Sequence, residues 1–487
     1  MQIWLKNLQT GWAQPNIWQI MLVGAMATLG FAPFGLWPLG LLSLAMLALW
    51  AKNSASWHQA AGRGFGWSLG LQVSAFYWLP WAFFKDSDGS WLAAIGGGIP
   101  AVLGIALVGS AGYVLAILFG WFLGRKWDLF RGWLGFGLGV VLVWMAVEVV
   151  RGLFPLGFPW LPLGAMWATT PSLMQLASLV GVWGMSAVLL VLALLLASGR
   201  RQAWWAAAVI LLAVQGFGLW RLQQVVVAED EVYVRLVQPN MTSPLKWDAA
   251  GRLVALRHTL AVMAAEPNMP ATVVMPETAV AFYLDLEPEV RAEVAGTLAR
   301  GSALVTGTIR REDEQGQATR YFNSIGVLNF DGRLGEVYDK QLLVPFGEYI
   351  PFRGWLEAIL PSPLRTISQS RLDYTHGQLD PRIMTPAGVA VALVCYEGIF
   401  PWFVARHSAG ARYLLNVTND NWFTGTIALY QHSALARLRA VETGLPLVRV
   451  ANTGLTVVYD GMGREVVRLP INTAASVDVR LPPRVGF

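Results

Sequence analysis

Only one of the 487 residues is a cysteine, Cys395, so an intramolecular disulfide is excluded. Charge is scarce too. Asp, Glu, Lys and Arg make up 13% of the chain, against roughly 25% in a soluble domain. The scarcity is uneven: none of the four occurs in 7–51, 64–84, 89–124, 132–147, 152–199 or 202–220. With 24 Trp, 22 Phe and a mean hydropathy of +0.48, these runs exclude a protein that is soluble throughout, because too much apolar surface would face water. No low-complexity tract, internal repeat or nucleic-acid-binding motif is present. The net charge of +5 suits an anionic lipid surface better than a nucleic acid.

What is there divides at about residue 221. A membrane span needs about 20 apolar residues. The first charge-free run is interrupted by Pro33, Gly35 and Pro38, so it reads as two spans, 17–33 and 37–51. Further spans are expected at 64–84, 100–124, 132–150 (which carries Glu148), 173–197 and 203–220, seven in all. The glycine-rich stretch 89–99 reads as a re-entrant or interfacial piece. The first run lacks a small-residue cleavage pattern and is expected to be retained. Counting the flanks alternately, one side collects Lys6, Lys52, Arg63, Arg125, Lys126, Arg131, Arg200 and Arg201, and the other only Lys85 and Arg151. Basic residues stay on the cytoplasmic side. The N-terminus is therefore expected in the cytoplasm and everything after residue 221 outside it. In that oxidising compartment a free thiol is either inert and buried or kept for its chemistry.

From 225 onward, β-rich runs alternate with amphipathic helices, the pattern of a layered α/β domain. Strands are expected at 232–237, 272–275, 304–309, 324–330, 389–394, 413–417, 447–450, 456–459 and 465–469. Helices are expected at 249–265, 287–300 and 427–443, and Asp331-Gly332 is a hairpin turn. The domains expected are thus a transmembrane domain over 1–221 and an extracytoplasmic catalytic domain over 225–487.

Catalytic groups of α/β domains gather past the carboxyl ends of strands. Three segments fit: Pro276-Glu277, Asp339-Lys340 and Cys395-Tyr396-Glu397. A thiol with an ordinary pKa of about 8.5 needs a base to become a nucleophile. Glu277 can be that base, and Lys340 and the Tyr396 amide can stabilise an oxyanion. Taken alone, each residue has a plainer reading: a core cysteine, a solvated loop glutamate and a surface lysine. Spacing does not show that the three meet.

These segments resemble the nitrilase superfamily, whose members carry a Glu-Lys-Cys triad on an α-β-β-α sandwich. The chain more closely resembles one branch, the apolipoprotein N-acyltransferases of bacterial inner membranes. The match runs over nearly the whole length: Gly30–Trp37, Leu245-Lys246-Trp247, Met275-Pro276-Glu277, Tyr338-Asp339-Lys340, Leu343–Pro351, Cys395-Tyr396-Glu397, Asn419–Phe423 and Tyr430-Gln431-His432. The resemblance implies a multi-pass helical membrane domain joined to a nitrilase-like sandwich. It makes Glu277 the base, Lys340 the oxyanion stabiliser and Cys395 the nucleophile. Glu348, Tyr396 and Glu397 would support them, Trp247 and Trp422 would sit on mobile loops over a lipid-facing pocket, and His432 would serve structure. The implied partners are a phospholipid acyl donor, a diacylglyceryl apolipoprotein acceptor and the bilayer of the inner membrane, with the chain acting as a monomer and without a metal or cofactor.

Two departures stand out. Family members commonly have glycine directly after the Trp-Phe pair, where this chain has Thr424 and only then Gly425. Members also usually end in another membrane helix, whereas this chain ends at Arg484–Phe487 after polar and proline-rich residues, so either the sequence is truncated or the C-terminus stays extracytoplasmic. The competing enzyme is a membrane-tethered amidase or nitrilase acting on a small C–N substrate, which needs the same triad but no lipid-accessible pocket.

Overall fold

The computed structural model describes residues 14–86, 89–126, 132–153, 157–224, 230–241, 251–264, 270–313, 319–359 and 373–486. The chain divides into two compact units, Met1–Gln223 and Gln224–Phe487.

The first unit is helical. Trp91–Lys126, Trp133–Leu153, Ala177–Ala197 and Arg201–Arg221 are each long and apolar enough to cross a membrane, and Ile17–Gly30 and Trp37–Lys52 are shorter apolar helices. The run 64–84 does not form one span. A helix covers Trp57–Ala75, capped by the Ser56 hydroxyl, and a second covers Leu79–Asp86. Absence of charge hid the break. Pro80 sits in the first turn of the second helix, where a missing N–H costs nothing, whereas in a continuous helix it would forfeit the bond to the Phe76 carbonyl and clash with it. The stretch 89–99 is helical from Trp91 and winds through a π-turn at Ala94–Gly98.

Helices Ile17–Ala27 and Trp57–Ala75 meet backbone to backbone. A Cβ on Gly24 would lie 1.9 Å from the Trp67 carbonyl oxygen, and one on Gly70 2.0 Å from that of Met21. Small residues permit such contact between apolar helices, where no hydrophobic force drives association. The one buried carboxylate of the long helices, Glu148, accepts the Leu163 amide at 2.9 Å and the Trp144 indole at 3.3 Å.

The second unit is an α-β-β-α sandwich, as expected. Its twelve described strands are β1 Tyr233–Gln238, β2 Thr272–Val274, β3 Ala303–Glu312, β4 Arg320–Asn329, β5 Leu334–Asp339, β6 Arg382–Thr385, β7 Gly388–Val394, β8 Tyr413–Thr418, β9 Leu447–Ala451, β10 Val457–Tyr459, β11 Glu465–Arg468 and β12 Ala475–Arg480. They form two six-stranded sheets, β12-β1-β2-β3-β4-β5 and β11-β10-β9-β8-β7-β6. Each has three parallel strands at its heart (β1, β2, β3 and β7, β8, β9), one antiparallel strand on one side and two on the other. The arrangement repeats although the sequence does not.

Strands covered on both faces read as continuous apolar runs. In β7 Ala390, Val391, Ala392, Leu393 and Val394 are all fully buried. Helix Gly251–Met263 packs Leu256, Leu260 and Met263 into a core with Val237, Val273 and Leu304 of the first sheet. Helices Pro401–His407 and Ile427–Thr443 belong to the second sheet. The layering leaves the carboxyl ends of β2, β5, β7 and β8 to supply the polar side chains.

Candidate active site

The chain turns sharply at Cys395. β7 ends at Val394, and Cys395 takes a left-handed backbone with φ +49° before the short helical turn Cys395–Ile399. This conformation costs a non-glycine residue on the order of 1–3 kcal/mol and survives only where neighbours hold it. Two donors do so at its carbonyl oxygen: the Asn416 amide at 3.2 Å and Nε2 of His432 at 3.2 Å. A carbonyl only accepts, so His432 carries its proton on Nε2 and turns the Nδ1 lone pair toward the Arg449 guanidinium, 3.2 Å away. Burial and Arg449 lower the His432 pKa against the pull of Asp420, so the ring is neutral and structural.

Behind Cys395 lies a buried ion pair. Asp420 receives Nη2 of Arg449 at 2.8 and 2.9 Å, and both side chains are fully buried. Despite its burial, the Arg449 charge holds the Asp420 carboxyl down to about 2. Asp420 anchors the end of β8, where two consecutive residues reach the site. The Thr418 hydroxyl lies 3.2 Å from Cys395 Sγ and 3.1 Å from Asp420 Oδ1; its one proton serves either neighbour. The Asn419 amide donates to Glu277 Oε2 at 2.7 Å.

Glu277 follows β2 in a loop pressed against β3. Residue 307 has to be glycine there, because a Cβ would lie 2.4 Å from the Thr278 nitrogen and 2.5 Å from the Glu277 Cα. Glu277 Oε1 accepts one proton of the Asn323 amide at 2.8 Å, and Glu348 Oε1 accepts the other at 2.7 Å. Lys340, just past β5, donates to Glu348 across both oxygens, at 3.0 and 2.9 Å. Glu348 also takes the Val344 amide at 2.8 Å, closing its own turn.

The electrostatics give each group a direction. Burial pushes Glu277 up, Lys340 opposes this, and Glu348 adds to it. Burial alone would lower Lys340, but Glu348 and Glu277 more than reverse it, so the ammonium stays charged. Burial and the Glu277 charge push the Cys395 thiol well above the cysteine range, with Lys340 acting against them. At rest Cys395 is a thiol in the field of the Glu277 carboxylate, whose own proton affinity is raised.

Glu397 ties the two strand ends together. Its Oε1 accepts the Tyr338 hydroxyl at 2.6 Å and the Gln341 and Leu342 amides at 2.8 and 3.1 Å, and its Oε2 accepts the Val394 amide at 2.8 Å. Burial moves its pKa to about 7, with Lys340 and these donors restraining the rise. The loop bearing Lys340 is thereby fixed to the strand bearing Cys395.

Glu277, Lys340, Glu348, Cys395 and Glu397 therefore converge. Tyr396 is buried with its ring edge-on to Phe400 at 4.9 Å. Trp422 ends the turn Asp420–Trp422, half-buried, and the neighbouring Phe423 packs on His432 at 5.7 Å. The displaced glycine has a local reason: Thr424 bonds the Asp420 carbonyl at 2.8 Å, and Gly425 takes φ +88° one residue later. Trp247 lies outside the described residues. Sequence reasoning missed Asn323, Gly307, Thr418 and the Asp420–Arg449 pair. The strand-end rule could have raised Thr418, whereas Asn323 lies inside β4 with nothing local to mark it. Among the described residues no group of three His, Cys, Asp or Glu could hold a metal ion.

The second unit coincides with the span matched by the carbon-nitrogen hydrolase model, residues 233–482. That match sets the sandwich and its cysteine in the carbon-nitrogen hydrolase class. The model of the apolipoprotein N-acyltransferase N-terminal domain matches residues 23–195. The apolipoprotein N-acyltransferase of Allorhizobium ampelinum is 33% identical over 491 residues, covering 96% of this chain and 89% of the relative. That of Brucella melitensis is 32% identical over 495 residues, covering 96% and 90%. The crystal structure of Saccharomyces cerevisiae Nit3 aligns with 53% of this chain and 93% of its own at 18% identity and a TM-score of 0.39. The chain belongs to the apolipoprotein N-acyltransferase family.

Proposed function

We propose that Cys395 carries an acyl chain as a thioester between a membrane phospholipid and the N-terminal α-amine of a diacylglyceryl-cysteine apolipoprotein. The chain is a membrane-bound acyltransferase of lipoprotein maturation; the donor, the intermediate and the residue roles make up the proposal. Its main support is that adjacent residues Thr418 and Asn419 hold the thiol sulfur and the Glu277 carboxylate, with Lys340 charged alongside.

In the first half-reaction Glu277 takes the Sγ proton, Sγ bonds the ester carbonyl carbon, and the oxyanion develops beside the Lys340 ammonium. The C–O bond breaks, and the lysophospholipid alkoxide leaves with the proton from Glu277. In the second, the acceptor amine attacks the thioester, its proton passes through Glu277 to sulfur, and the amide product leaves. Glu348 holds Lys340 in place, and Glu397 fixes the Lys340 loop against the nucleophile. A thioester conserves acyl-transfer potential, so neither half-reaction needs ATP. Trp422, at the end of the turn Asp420–Trp422, belongs to a loop over the lipid-binding pocket.

The reading predicts stoichiometry. With phospholipid and no acceptor, the enzyme releases one equivalent of lysophospholipid and stops until apolipoprotein is added. Continuous hydrolysis without acceptor, or turnover of small amides at comparable rates, would favour the amidase reading instead.

The membrane is the bacterial inner membrane, crossed about seven times by 1–221, with the N-terminus cytoplasmic and the 225–487 unit periplasmic. The skewed distribution of Lys and Arg supports this orientation. Asp313 is exposed, so Asp313→Cys in a Cys395→Ala background should react with a membrane-impermeant maleimide from the periplasmic side. Labelling from the cytoplasmic side alone would reverse the orientation.

A further inference from the structure

Of the buried carboxylates at this site, Glu277 and Glu348 share one amide donor, and a pair of acids so close ordinarily shares a proton. A base that already holds the shared proton cannot take another from Cys395. Between them stands Asn323, 4% exposed. Its Nδ2 gives one proton to Glu277 Oε1 at 2.8 Å and the other to Glu348 Oε1 at 2.7 Å. An amide NH2 only donates, so both oxygens facing it must act as acceptors. Reversing the amide would set its oxygen against both carboxylates. The observed orientation instead leaves Oδ1 buried without a partner among the described residues, a cost accepted for two charge-assisted bonds. The Asn323 carbonyl also receives the Lys340 amide at 2.9 Å, so the residue is registered to the lysine as well.

We propose that Asn323 is a positioning residue that keeps Glu277 ionised beside Glu348, and thereby sets the lowest pH at which Cys395 can be deprotonated. This rests on the reading of Glu277 as the base. The amide takes the place of a shared proton without being able to surrender one. The other groups acting on Glu277 are Lys340 past β5, Glu348 from the turn after Val344, the Cys395 thiol past β7, the Tyr374 phenol and the Asn419 amide. Lys340 is the only cation among them and is engaged by Glu348. Burial and Glu348 raise Glu277, and the Asn323 bond lowers it. Removing the amide therefore raises Glu277, protonates it at a higher pH, and moves the acid limb of thiol reactivity upward.

The chain has one cysteine, so iodoacetamide alkylation of the full-length protein in detergent reads Cys395 alone by intact mass. Wild-type alkylation should fall at acid pH with a defined midpoint. Asn323→Ala should move that midpoint up by about one to two pH units, the scale on which hydrogen bonds to a charged form act. Asn323→Asp should move it at least as far, since it adds a third carboxylate, and Asn323→Ser, with one donor, should fall between. An unchanged midpoint with a uniformly lower rate would overturn the proposal and leave Asn323 a packing residue. Failure of all three variants to fold would overturn it too, because a residue needed only for protonation state is not needed for folding. Glu277→Gln separates the two claims: if the wild-type limb persists in that variant, Glu277 is not the base, and the fault lies in the underlying reading.

Discussion

Gly307→Ala tests whether the base is held by shape, because it adds one methyl group and touches no charge. The new Cβ would lie 2.4 Å from the Thr278 nitrogen, 2.5 Å from the Glu277 Cα and 2.7 Å from the Pro276 carbonyl oxygen, where ordinary contact begins at 3.4 Å. All three are backbone atoms, so no side chain can swing away. The loop must retreat by about 1 Å, which also strains the Gly307 amide bond to Pro276 (3.2 Å) and the Val280 amide bond to Gly307 (3.4 Å). Overpacking of this kind costs roughly 1–3 kcal/mol, less than the stability of an ordinary domain. A 1 Å displacement of a catalytic group costs on the order of 100-fold in rate. The variant should thus fold, melt somewhat lower, and form the acyl-enzyme about 100-fold more slowly. Stopped or quenched single-turnover acylation followed by intact mass, alongside a melting curve, measures both. Acylation within about three-fold of wild type would refute the claim that β3 sets the position of Glu277.

Glu397→Gln keeps the shape of a group with four donors but turns an amide NH2 toward one of them. An unpaired buried donor costs about 1–3 kcal/mol, and the loss should fall on kcat, since the Lys340 loop is loosened from the Cys395 strand. Asp420→Asn leaves the fully buried Arg449 without its carboxylate and should destabilise the fold by about 3–5 kcal/mol, read by denaturant unfolding. The same pair gives a pH signature. Asp420 is held at about 2, below its ordinary 3.8, so its contribution is complete above about pH 4 and fades as pH falls toward 2. Asp420→Asn should flatten that part of the stability profile.

Local chemistry was legible where it repeats along the chain. Helix Ile427–Thr443 showed in its apolar spacing and its stop at Gly444, and β7 in five apolar residues that only a doubly covered strand can carry. The strand-end rule placed Glu277 and Cys395 because that rule is itself local. What the sequence concealed depends on pairing at a distance. β12 closes the first sheet by pairing Tyr233 with Arg480, and no short-range pattern indicates such a partner. Asn323 is one polar residue within a buried strand, and its meaning exists only once Glu277, 46 residues away, arrives beside it. Asp420 and Arg449 are likewise 29 residues apart and read separately as a turn acid and a strand cation. The run 64–84 misled for another reason: missing charge reports the solvent a segment tolerates, not whether its helix is continuous.

The central claim is that a covalent acyl group rests on Cys395 between the two half-reactions. Intact-mass analysis of the full-length protein after incubation with phospholipid, without acceptor, tests it most directly. The expected result is a mass increase of one fatty acyl chain that hydroxylamine removes, that apolipoprotein discharges, and that Cys395→Ala never acquires. N-acylation by wild type with no such adduct at any time, or N-acylation retained by Cys395→Ala, would contradict it.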